Sequence, residues 1–227
     1  MLYIAAGTIA VACRPRVVAL VPVALVPAHP DSAVAWARGT APLRPAAIRF
    51  RWRYEDRQVV WGGRGTARIA PPDSLRFDYA GPLGLGSGAG VVIGESILWA
   101  EPSGDFERLI PAVPMLWAAL GTVRPPLPGA TVFTTVRERD DARVRYWRFV
   151  QGTDTLDYAL SMGPGRVLEA EWRRGARVVA RSRTEYDGDQ PAASRIDVPA
   201  GPGRIDFTVV GVDTAVVFPA ALWHRRR

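Results

Sequence analysis

The sequence predicts a mainly β protein with a few helices, built as a curled antiparallel sheet, an open half-barrel, covered by a short helical lid. Two observations carry this prediction. Apolar and charged residues alternate along many short segments, a period of two that is typical of strands with one buried face. Gly, Pro and Asp separate these segments at short intervals, as turns do in antiparallel sheets. A sheet with so many strands must curl, and one helix would then cover its concave side.

The first group of strands follows a proline-rich region. From Ala47 to Tyr54, apolar side chains alternate with arginines, which predicts a strand with one solvated face. Gly62-Gly63 predicts a bulge or bend in the next strand, and Gly94-Glu95 predicts the turn of a hairpin. The further strands predicted in this region cover residues 58–69, 75–79, 90–93 and 96–101.

Helical signals are confined to two short segments. Asp31-Ser32 could cap a helix over residues 33–38, which Gly39 would end. Residues 113–120 form the second candidate, which Gly121 stops. After it, strands are predicted over residues 131–137, 143–151, 155–162, 166–173, 177–186, 194–199 and 204–210.

Length and charge limit the classes of function. The chain has 227 residues, which suits one domain with appendages, and its 48% hydrophobic content is enough for a sizeable core. The formal net charge is +7, and every basic residue apart from the histidines is an arginine. These arginines are spread along the predicted strands rather than clustered, so nucleic acid is not predicted as a partner. A basic surface equally suits anionic lipid headgroups.

The N-terminal segment predicts export and lipid modification. Residues 1–12 form a short apolar run that ends in small residues directly before Cys13, the single cysteine. Ala10-Val11-Ala12-Cys13 resembles the lipobox of bacterial lipoproteins, in which the cysteine becomes the lipidated first residue. Two alternatives stay open. Arg14, Arg16 and the apolar run 17–26 suit an ordinary signal peptide cleaved after Ala33-Val34-Ala35, or Cys13 is simply buried in the fold.

The lipoprotein interpretation divides the chain into four parts. They are a signal peptide over residues 1–12, a Pro/Ala-rich tether over 13–46, a half-barrel domain over 47–221 and a basic tail over 222–227.

Residues suited to catalysis or metal binding are scarce. His29 and His224 lie outside any motif, and with one cysteine they cannot form a metal site or a nucleophilic triad. Ser87 does not fit the G-x-S-x-G pattern of a nucleophile elbow, because the outer positions, Leu85 and Ala89, are not glycine. Acidic residues cluster in turn-like segments, where solubility explains them; these are Asp105/Glu107, Glu138/Asp140/Asp141 and Asp187/Asp189. No catalytic residue, metal ligand or cofactor is therefore predicted, and a hydrolase is the least favoured function.

Two apolar features suggest a lipid ligand instead. The glycine-rich segment 81–90 carries Leu83 and Leu85 where turn chemistry predicts polar residues. Either both leucines fold back onto the core, or they form an apolar loop that contacts a lipid, a membrane or a lipidated partner. The scarcity of catalytic groups and the position of Cys13 favour the exposed loop, and Leu83 more than Leu85. Large apolar side chains also fall on the buried faces of the predicted strands and helix. They form either a packed core or the lining of an apolar cavity, and the candidates are Phe50, Trp52, Leu75, Phe77, Tyr79, Trp99, Met115, Leu116, Trp117 and Trp147.

Several segments are similar to one known family. Residues 76–79 (RFDY), followed by Gly81-Pro82-Leu83-Gly84, resemble the strand and loop of the outer-membrane lipoprotein receptor family LolB. Residues 114–121 (PMLWAALG) resemble that family's helix, and residues 186–197 and 204–209 resemble its last strands. The likeness is distributed over roughly residues 47–210.

The resemblance implies a fold, a ligand and an anchor. The fold is an open half-barrel capped by helices, shared with the periplasmic carrier LolA, and its concave apolar space binds lipoprotein acyl chains. Cys13 would be the lipidated residue, and Leu83 the protruding loop leucine that helps insert cargo into the membrane, with Leu85 as a second leucine beside it.

The resulting expectation is a monomeric, non-enzymatic protein of the cell envelope, lipid-anchored at the outer membrane and facing the periplasm. Its expected partners are lipid acyl chains or lipoproteins, the membrane itself and a periplasmic carrier protein, without nucleic acid or a cofactor. The alternative is a structural or envelope-stress regulatory lipoprotein with a packed β core and no ligand.

Overall fold

The computed structural model describes residues 20–21, 24–82, 86–104, 110, 112–163, 165–199, 201 and 203–225. Cys13, Leu83 and Leu85 lie outside these residues, as do Asp105 and Glu107.

The described residues form one sheet of thirteen strands, in which every neighbouring pair is antiparallel. The strands are β1 (Val26–Pro27), β2 (Ala46–Glu55), β3 (Val60–Ala70), β4 (Ser74–Ala80), β5 (Ser87–Ile93), β6 (Ser96–Glu101), β7 (Thr131–Arg139), β8 (Ala142–Gln151), β9 (Asp154–Met162), β10 (Val167–Arg174), β11 (Arg177–Asp187), β12 (Gln190–Val198) and β13 (Gly203–Asp213). The helices are α1 (Pro30–Arg38) and α2 (Val113–Ala119), and a 3-10 turn covers Ala220–Trp223.

The strand order is β1-β7-β8-β9-β10-β11-β12-β13-β2-β3-β4-β5-β6. The sheet is therefore open, with β1 at one edge and β6 at the other. We call the face against which α2 packs the concave face, and the opposite face the convex face. The predicted fold class, a mainly β protein with an open, curled antiparallel sheet and few helices, is confirmed.

Helix α2 lies within the concave face with every side chain from Val113 to Ala119 buried. Strand β11 presents small or short side chains towards it, among them Ala180, Ser182 and Thr184, all buried. Thr184 Oγ1 donates a hydrogen bond of 2.8 Å to the carbonyl oxygen of Ala118. Small side chains let the helix backbone approach the sheet closely, so the helix fills the space that large residues on β11 would occupy.

Helix α1 belongs to the folded domain rather than to a tether. Its Ala33 and Ala37 side chains are fully buried, and the Trp36 ring stacks on Trp147 with 5.4 Å between centroids. Strand β1, just before it, pairs with β7. The tether predicted over residues 13–46 is therefore wrong for residues 26–38, because an alternation of alanines with one tryptophan gives this short helix an apolar face that the concave side of the sheet buries.

Three described residues before β1, Leu20, Val21 and Leu25, lie on the convex face. Val21 is buried against Val144, Tyr146 and Ala159 of β8 and β9, with Leu20 packed beside it. The apolar run that suits a signal peptide in the sequence thus contributes side chains to a second, smaller apolar cluster.

Two glycine-rich segments differ from prediction. Gly62 and Gly63 pair with β2 in continuous register, without the predicted bulge. Glycine is required at position 63 because a Cβ there would collide with the backbone of Ala80. Residues 87–90, predicted as part of the apolar loop, are instead the start of β5, where a Cβ on Gly88 would collide with the ring of Tyr79.

A row of directly paired charged residues crosses the convex face over seven strands, from β8 to β2. Its members, in spatial order, are Arg148, Asp157, Glu171, Arg181, Asp197, Arg204 and Glu55. Every neighbouring pair in the row except Asp157–Glu171 combines opposite charges, which stabilise an antiparallel pair. The charge pattern therefore reinforces the strand register that the apolar face already specifies.

The centre of this row is a buried ion-pair network. Asp157 is fully buried, and its carboxylate accepts hydrogen bonds from Arg148, at 2.6 Å, and from Arg173. The neighbouring buried carboxylate, Glu171, contacts Arg173 at 3.4 Å and Arg181 at 2.6 Å. The hydrogen bond to Asp157 raises the pKa of the Arg148 guanidinium. Two adjacent buried carboxylates are thus compensated by three arginines.

We expect Asp157→Ala to destabilise the protein by about 3 kcal/mol, since it leaves partly buried guanidinium groups without their carboxylate. The matched control is Asp154→Ala, three residues earlier, whose ion pair with Arg174 is solvent-exposed and should contribute less than about 1 kcal/mol. Urea denaturation monitored by tryptophan fluorescence measures the free energy of unfolding of both variants. Equal losses for the two variants would show that the network has no special role.

Candidate functional site

The concave face between β13 and β4 is filled by its own aromatic rings. Phe50 stacks on Phe77 with 5.1 Å between centroids, and Phe207 meets both rings edge-on. Trp52 and Tyr79 pack edge-to-face at 6.0 Å. All five side chains are buried. This half of the concave face is a packed core.

Nine of the ten predicted cavity residues lie in this apolar core. They are Phe50, Trp52, Leu75, Phe77 and Tyr79 on β2 and β4, Met115, Leu116 and Trp117 on α2, and Trp147 on β8. None of the nine lines any of the three cavities described below.

Trp99 lies on the other face of the sheet. It pairs with Val91, which in turn lies opposite Arg76 on the convex side. Its Nε1 donates a hydrogen bond of 3.0 Å to the carbonyl oxygen of Trp223, and the Arg76 guanidinium lies 5.4 Å from the centre of its ring. The bulge between Val91 and Val92 shifts the register, so that Trp99 lies opposite Val91 on the convex side. Trp99 therefore contacts the C-terminal segment and not the concave residues.

The C-terminal residues pack on the same edge. Arg76 donates a hydrogen bond of 2.6 Å to the carbonyl oxygen of Leu222, and Arg225 contacts Glu101 at 3.2 Å. Described residues 222–225, predicted as a basic tail, are therefore held against β4 and β6 rather than free of the domain.

The largest of the three cavities, about 720 Å³, opens beside the C-terminal end of α2. We call it the α2 groove. Its walls come from the segment between α1 and β2, the residues after α2, and the hairpin of β11 and β12. The lining residues are 39–44, Ala46, Ile48, Ile69, 120–122, Arg166, Tyr186, 189–191, Val212 and Thr214.

The groove combines an apolar floor with a polar rim. Ile48 and Ile69 are buried at its base, and Leu120 at the end of α2 adds to the same wall. At the rim, the Arg166 guanidinium lies 4.5 Å from the centre of the Tyr186 ring and contacts Asp189 at 3.0 Å. An apolar cleft of this size with few polar groups at its mouth is typical of a small-molecule site.

Leu43 stands at the edge of the groove with 94% of its surface exposed. Complete exposure of a leucine forgoes roughly 1.5–3 kcal/mol of burial. Pro42 precedes it, and Thr40 anchors the segment because its Oγ1 accepts a hydrogen bond of 2.8 Å from the amide of Val123. Leu43 is thus an apolar side chain held at the mouth of an apolar groove.

A second cavity, of about 260 Å³, lies at the other end of α2. Val113, Phe149 and Trp172 contribute apolar surface to it, and Glu95 and Asp154 contribute carboxyl groups. Burial raises the pKa of Glu95, an effect that the nearby Arg124 partly offsets. This cavity is smaller than most ligand sites.

Arg124 joins this end of α2 to the β5–β6 turn. Its guanidinium lies 5.1 Å from the centre of the Trp117 ring, and Trp117 Nε1 donates a hydrogen bond of 2.9 Å to the carbonyl oxygen of Gly94. Burial lowers the pKa of Arg124, while Asp73 and Glu95 act in the opposite direction. The third cavity, about 460 Å³, is a shallow polar site between the β2–β3 and β12–β13 turns.

Sequence reasoning missed the α2 groove. Its walls come from segments that are far apart in the chain, and residues 39–46 were assigned to the tether. One local signal was present: Leu43 stands between Pro42 and Arg44, an apolar residue in turn-like surroundings. The same argument that drew attention to Leu83 applies to Leu43.

Among the described residues, no group of His, Cys, Asp and Glu is arranged to hold a metal ion. In the same part of the chain, no helix has the length and apolar character needed to cross a membrane.

Known proteins resemble this chain in structure but not in sequence. The sequence matches no protein-family model and no curated protein. A LolA superfamily protein from Nitrosomonas europaea aligns with a TM-score of 0.62 at 12% identity, over 87% of this chain and 98% of that one. A putative outer membrane lipoprotein-sorting protein domain from Vibrio parahaemolyticus aligns with a TM-score of 0.54 at 6% identity, over 86% and 97% of the two chains.

A DUF1329 family protein from Desulfovibrio piger aligns with a TM-score of 0.53 at 10% identity, over 86% of this chain and 95% of that one. At these identities the likeness establishes the fold. The chain therefore has the fold of the LolA superfamily, as its resemblance to LolB predicts.

Glu95→Gln should stabilise the protein at neutral pH. Because the folded-state pKa is raised, the folded protein keeps a proton that the unfolded chain loses above the ordinary value of 4.5. The contribution of this carboxyl to stability is therefore largest below that pH and declines as the pH rises through the folded-state pKa. Thermal melts at pH 4 and pH 7 should show the gain of Glu95→Gln at pH 7 only.

The control for this prediction is Glu101→Gln. The hydrogen bond from Arg225 lowers the pKa of Glu101, so its contribution is present at neutral pH and is lost on acidification. The two variants should therefore shift the melting temperature at pH 7 in opposite directions. A gain for Glu95→Gln that is the same at both pH values would exclude burial of the charged carboxylate as its cause.

Proposed function

We propose that this chain is a non-catalytic protein of the cell envelope that binds acyl chains of lipids or lipoproteins in the α2 groove. The observation that carries the proposal is the groove itself, a cavity of about 720 Å³ beside the buried helix of a LolA-type sheet. One structural neighbour is described as a putative lipoprotein-sorting domain. Transfer of lipoproteins towards the outer membrane is the role that this neighbour and the LolB resemblance support best.

The chemistry of the groove suits an amphipathic ligand. An acyl chain would lie against Ile48, Ile69 and Leu120, where burial of apolar surface supplies the driving force. Arg166 and Asp189 at the rim would remain in contact with water and with the polar end of the ligand. Leu43 would regain contact with an apolar surface when the groove is occupied.

The folded N-terminal region supports processing at Cys13 over cleavage after Ala35. Cleavage after Ala35 would remove β1, the buried Ala33 and the first half of α1, together with Val21 on the convex face. Processing at Cys13 retains all of these contacts. We therefore propose that Cys13 is the lipidated residue and that residues 14–19 connect it to the domain.

Leu83 and Leu85 keep the role that the sequence suggests. We propose that these loop leucines contact the membrane or the acyl chains of the cargo. Pro82 and Gly86 flank the loop, and the amide of Gly81 donates a hydrogen bond of 2.7 Å to the carbonyl oxygen of Gly86, which holds the two ends of the loop together. A periplasmic carrier protein is the proposed partner for delivery.

One observation favours a second candidate, a structural or envelope-stress regulatory lipoprotein without a ligand. The aromatic half of the concave face is packed, and α2 is buried along its whole length. A protein that binds no lipid would need no cavity beyond this packed interior. The two candidates differ in whether the α2 groove binds an acyl chain.

Groove-filling variants test this difference. Thr214 and Gln190 line the groove and are exposed, so tryptophan at either position should occupy the groove without disturbing the core. We expect Thr214→Trp and Gln190→Trp to weaken binding of a fluorescent fatty acid at least about tenfold, a loss of about 1.4 kcal/mol. Thr208→Trp, an exposed position on the convex face, is the matched control and should bind normally.

If the wild-type protein binds no fatty acid, or if Thr208→Trp weakens binding as much as the groove variants do, the acyl-chain proposal fails and the ligand-free candidate is preferred. Leu43→Glu gives a milder test at the rim. Its control is Val217→Glu, which introduces the same charge at a residue 92% exposed and outside the groove lining.

The anchor is tested separately by mass spectrometry and fractionation. The mature protein should begin at Cys13 with the mass of an attached lipid, and Cys13→Ser should move the protein from the membrane to the soluble fraction. Two acyl chains or more are needed for stable attachment, because a single chain binds only marginally. An unmodified Cys13 in the mature chain would contradict the proposed lipidation and would leave the groove experiment unaffected.

A further inference from the structure

Arginines on the convex face fall into two groups. Most contact a carboxylate on the same or a neighbouring strand, as Arg195 does with Asp206 at 2.7 Å and Arg204 with Asp197 at 3.1 Å. Arg137 on β7 is exposed without a carboxylate partner among the described residues, and three more such arginines lie together on β2 and β3. We call these three, Arg49, Arg51 and Arg64, the arginine patch.

The patch concentrates positive charge at a cost to the sheet. Arg51 and Arg64 are direct cross-strand partners, a position in which like charges destabilise the pair. Arg49 lies two residues before Arg51 on the same face, with its guanidinium over Gly211. The neighbouring Arg53 has a partner in Glu55 at 2.9 Å. Other opposed arginines on this face, Arg183 with Arg195 and Arg68 with Arg76, each contact a carboxylate. Arg51 and Arg64 contact none among the described residues, which points to an external anion.

We propose that the arginine patch docks the convex face of the protein on an anionic phospholipid membrane. Guanidinium groups bind phosphate in a bidentate manner, and adjacent exposed arginines attract an anionic bilayer surface over the distance of a Debye length. Val210, 55% exposed in the β-bulge beside Gly211, adds an apolar side chain next to the patch.

The course of the chain supports a membrane as the occupant. Leu20, the first described residue, lies on the same convex face, packed with Val21 against β8 and β9. Cys13 precedes it by seven residues. On the proposed function, which assigns the lipid to Cys13, the chain from the anchor would reach the domain on the convex face, five strands from the patch, and the α2 groove would lie on the other face.

The surroundings of the patch do not favour nucleic acid. Thr208 lies opposite Arg51 on β13, and Thr66 lies opposite Arg49 on β3. Single-stranded nucleic acid is bound by aromatic platforms beside the cationic groups. The other residues directly opposite the patch are Gly211 and Ala80, so none of its described cross-strand neighbours is aromatic. A flat group of three arginines suits a two-dimensional array of phosphates better.

The experiment measures vesicle binding without the lipid anchor. The full-length Cys13→Ser chain is titrated with phosphatidylcholine vesicles, with and without phosphatidylglycerol. Each arginine near an anionic surface contributes about fivefold in affinity, so Arg51→Gln/Arg64→Gln should weaken binding to the anionic vesicles about 25-fold. Arg195→Gln/Arg204→Gln removes the same net charge from the same face and should change binding far less.

Folding of the variants is checked by thermal melting, and removal of the opposed charges should leave the melting temperature unchanged or raise it. If the double variant does not fold, Arg64→Gln alone should weaken binding about fivefold. Equal losses in the patch and control variants, no preference of the unsubstituted chain for anionic vesicles, or patch-dependent binding of DNA in place of vesicles would each overturn the proposal. Fatty-acid binding in the groove should be unchanged in the patch variant, which separates this result from a failure of the proposed function.

Discussion

The burial of α2 within the curled sheet is the constraint on which the rest of the structure depends. A seven-residue helix whose side chains are all buried must have sheet on several sides. It is held by the hydrogen bond from Trp117 to Gly94 in the β5–β6 turn and, just past its C-terminal end, by the one from Tyr186 to Gly121 at 2.9 Å. These contacts join strands from both halves of the sheet to one short helix, and they determine where space remains.

Among the described residues, two cavities lie at the ends of this helix. Short side chains on β11 let the backbone of α2 approach the sheet closely along one flank of the helix. Aromatic rings of β2 and β4 fill the space along the other flank. On that second flank, glycines make the packing possible, since a Cβ on Gly65 would collide with the ring of Phe50. A tightly packed centre leaves the α2 groove at one end and the smaller cavity with Glu95 at the other.

The two faces of the sheet have different physical roles. The concave face supplies apolar burial, and the convex face carries a lattice of arginines and carboxylates whose pairing follows the strand register. In its centre, Asp157 and Glu171 are buried because the arginines on either side satisfy them. That compensation stops at Arg51 and Arg64, two opposed arginines that contact no carboxylate among the described residues.

The sequence by itself determined the fold class, most of the strands, both helices and the scarcity of catalytic groups, because period-two alternation and turn residues are local signals. It also identified nine apolar residues that do lie in the core. It could not separate core from cavity lining, since both require the same apolar side chains. The tertiary structure alone decided that Trp99 lies on the convex side and that α1 belongs to the domain. It alone formed the α2 groove, whose walls are distant in the chain and meet only when the sheet curls around α2.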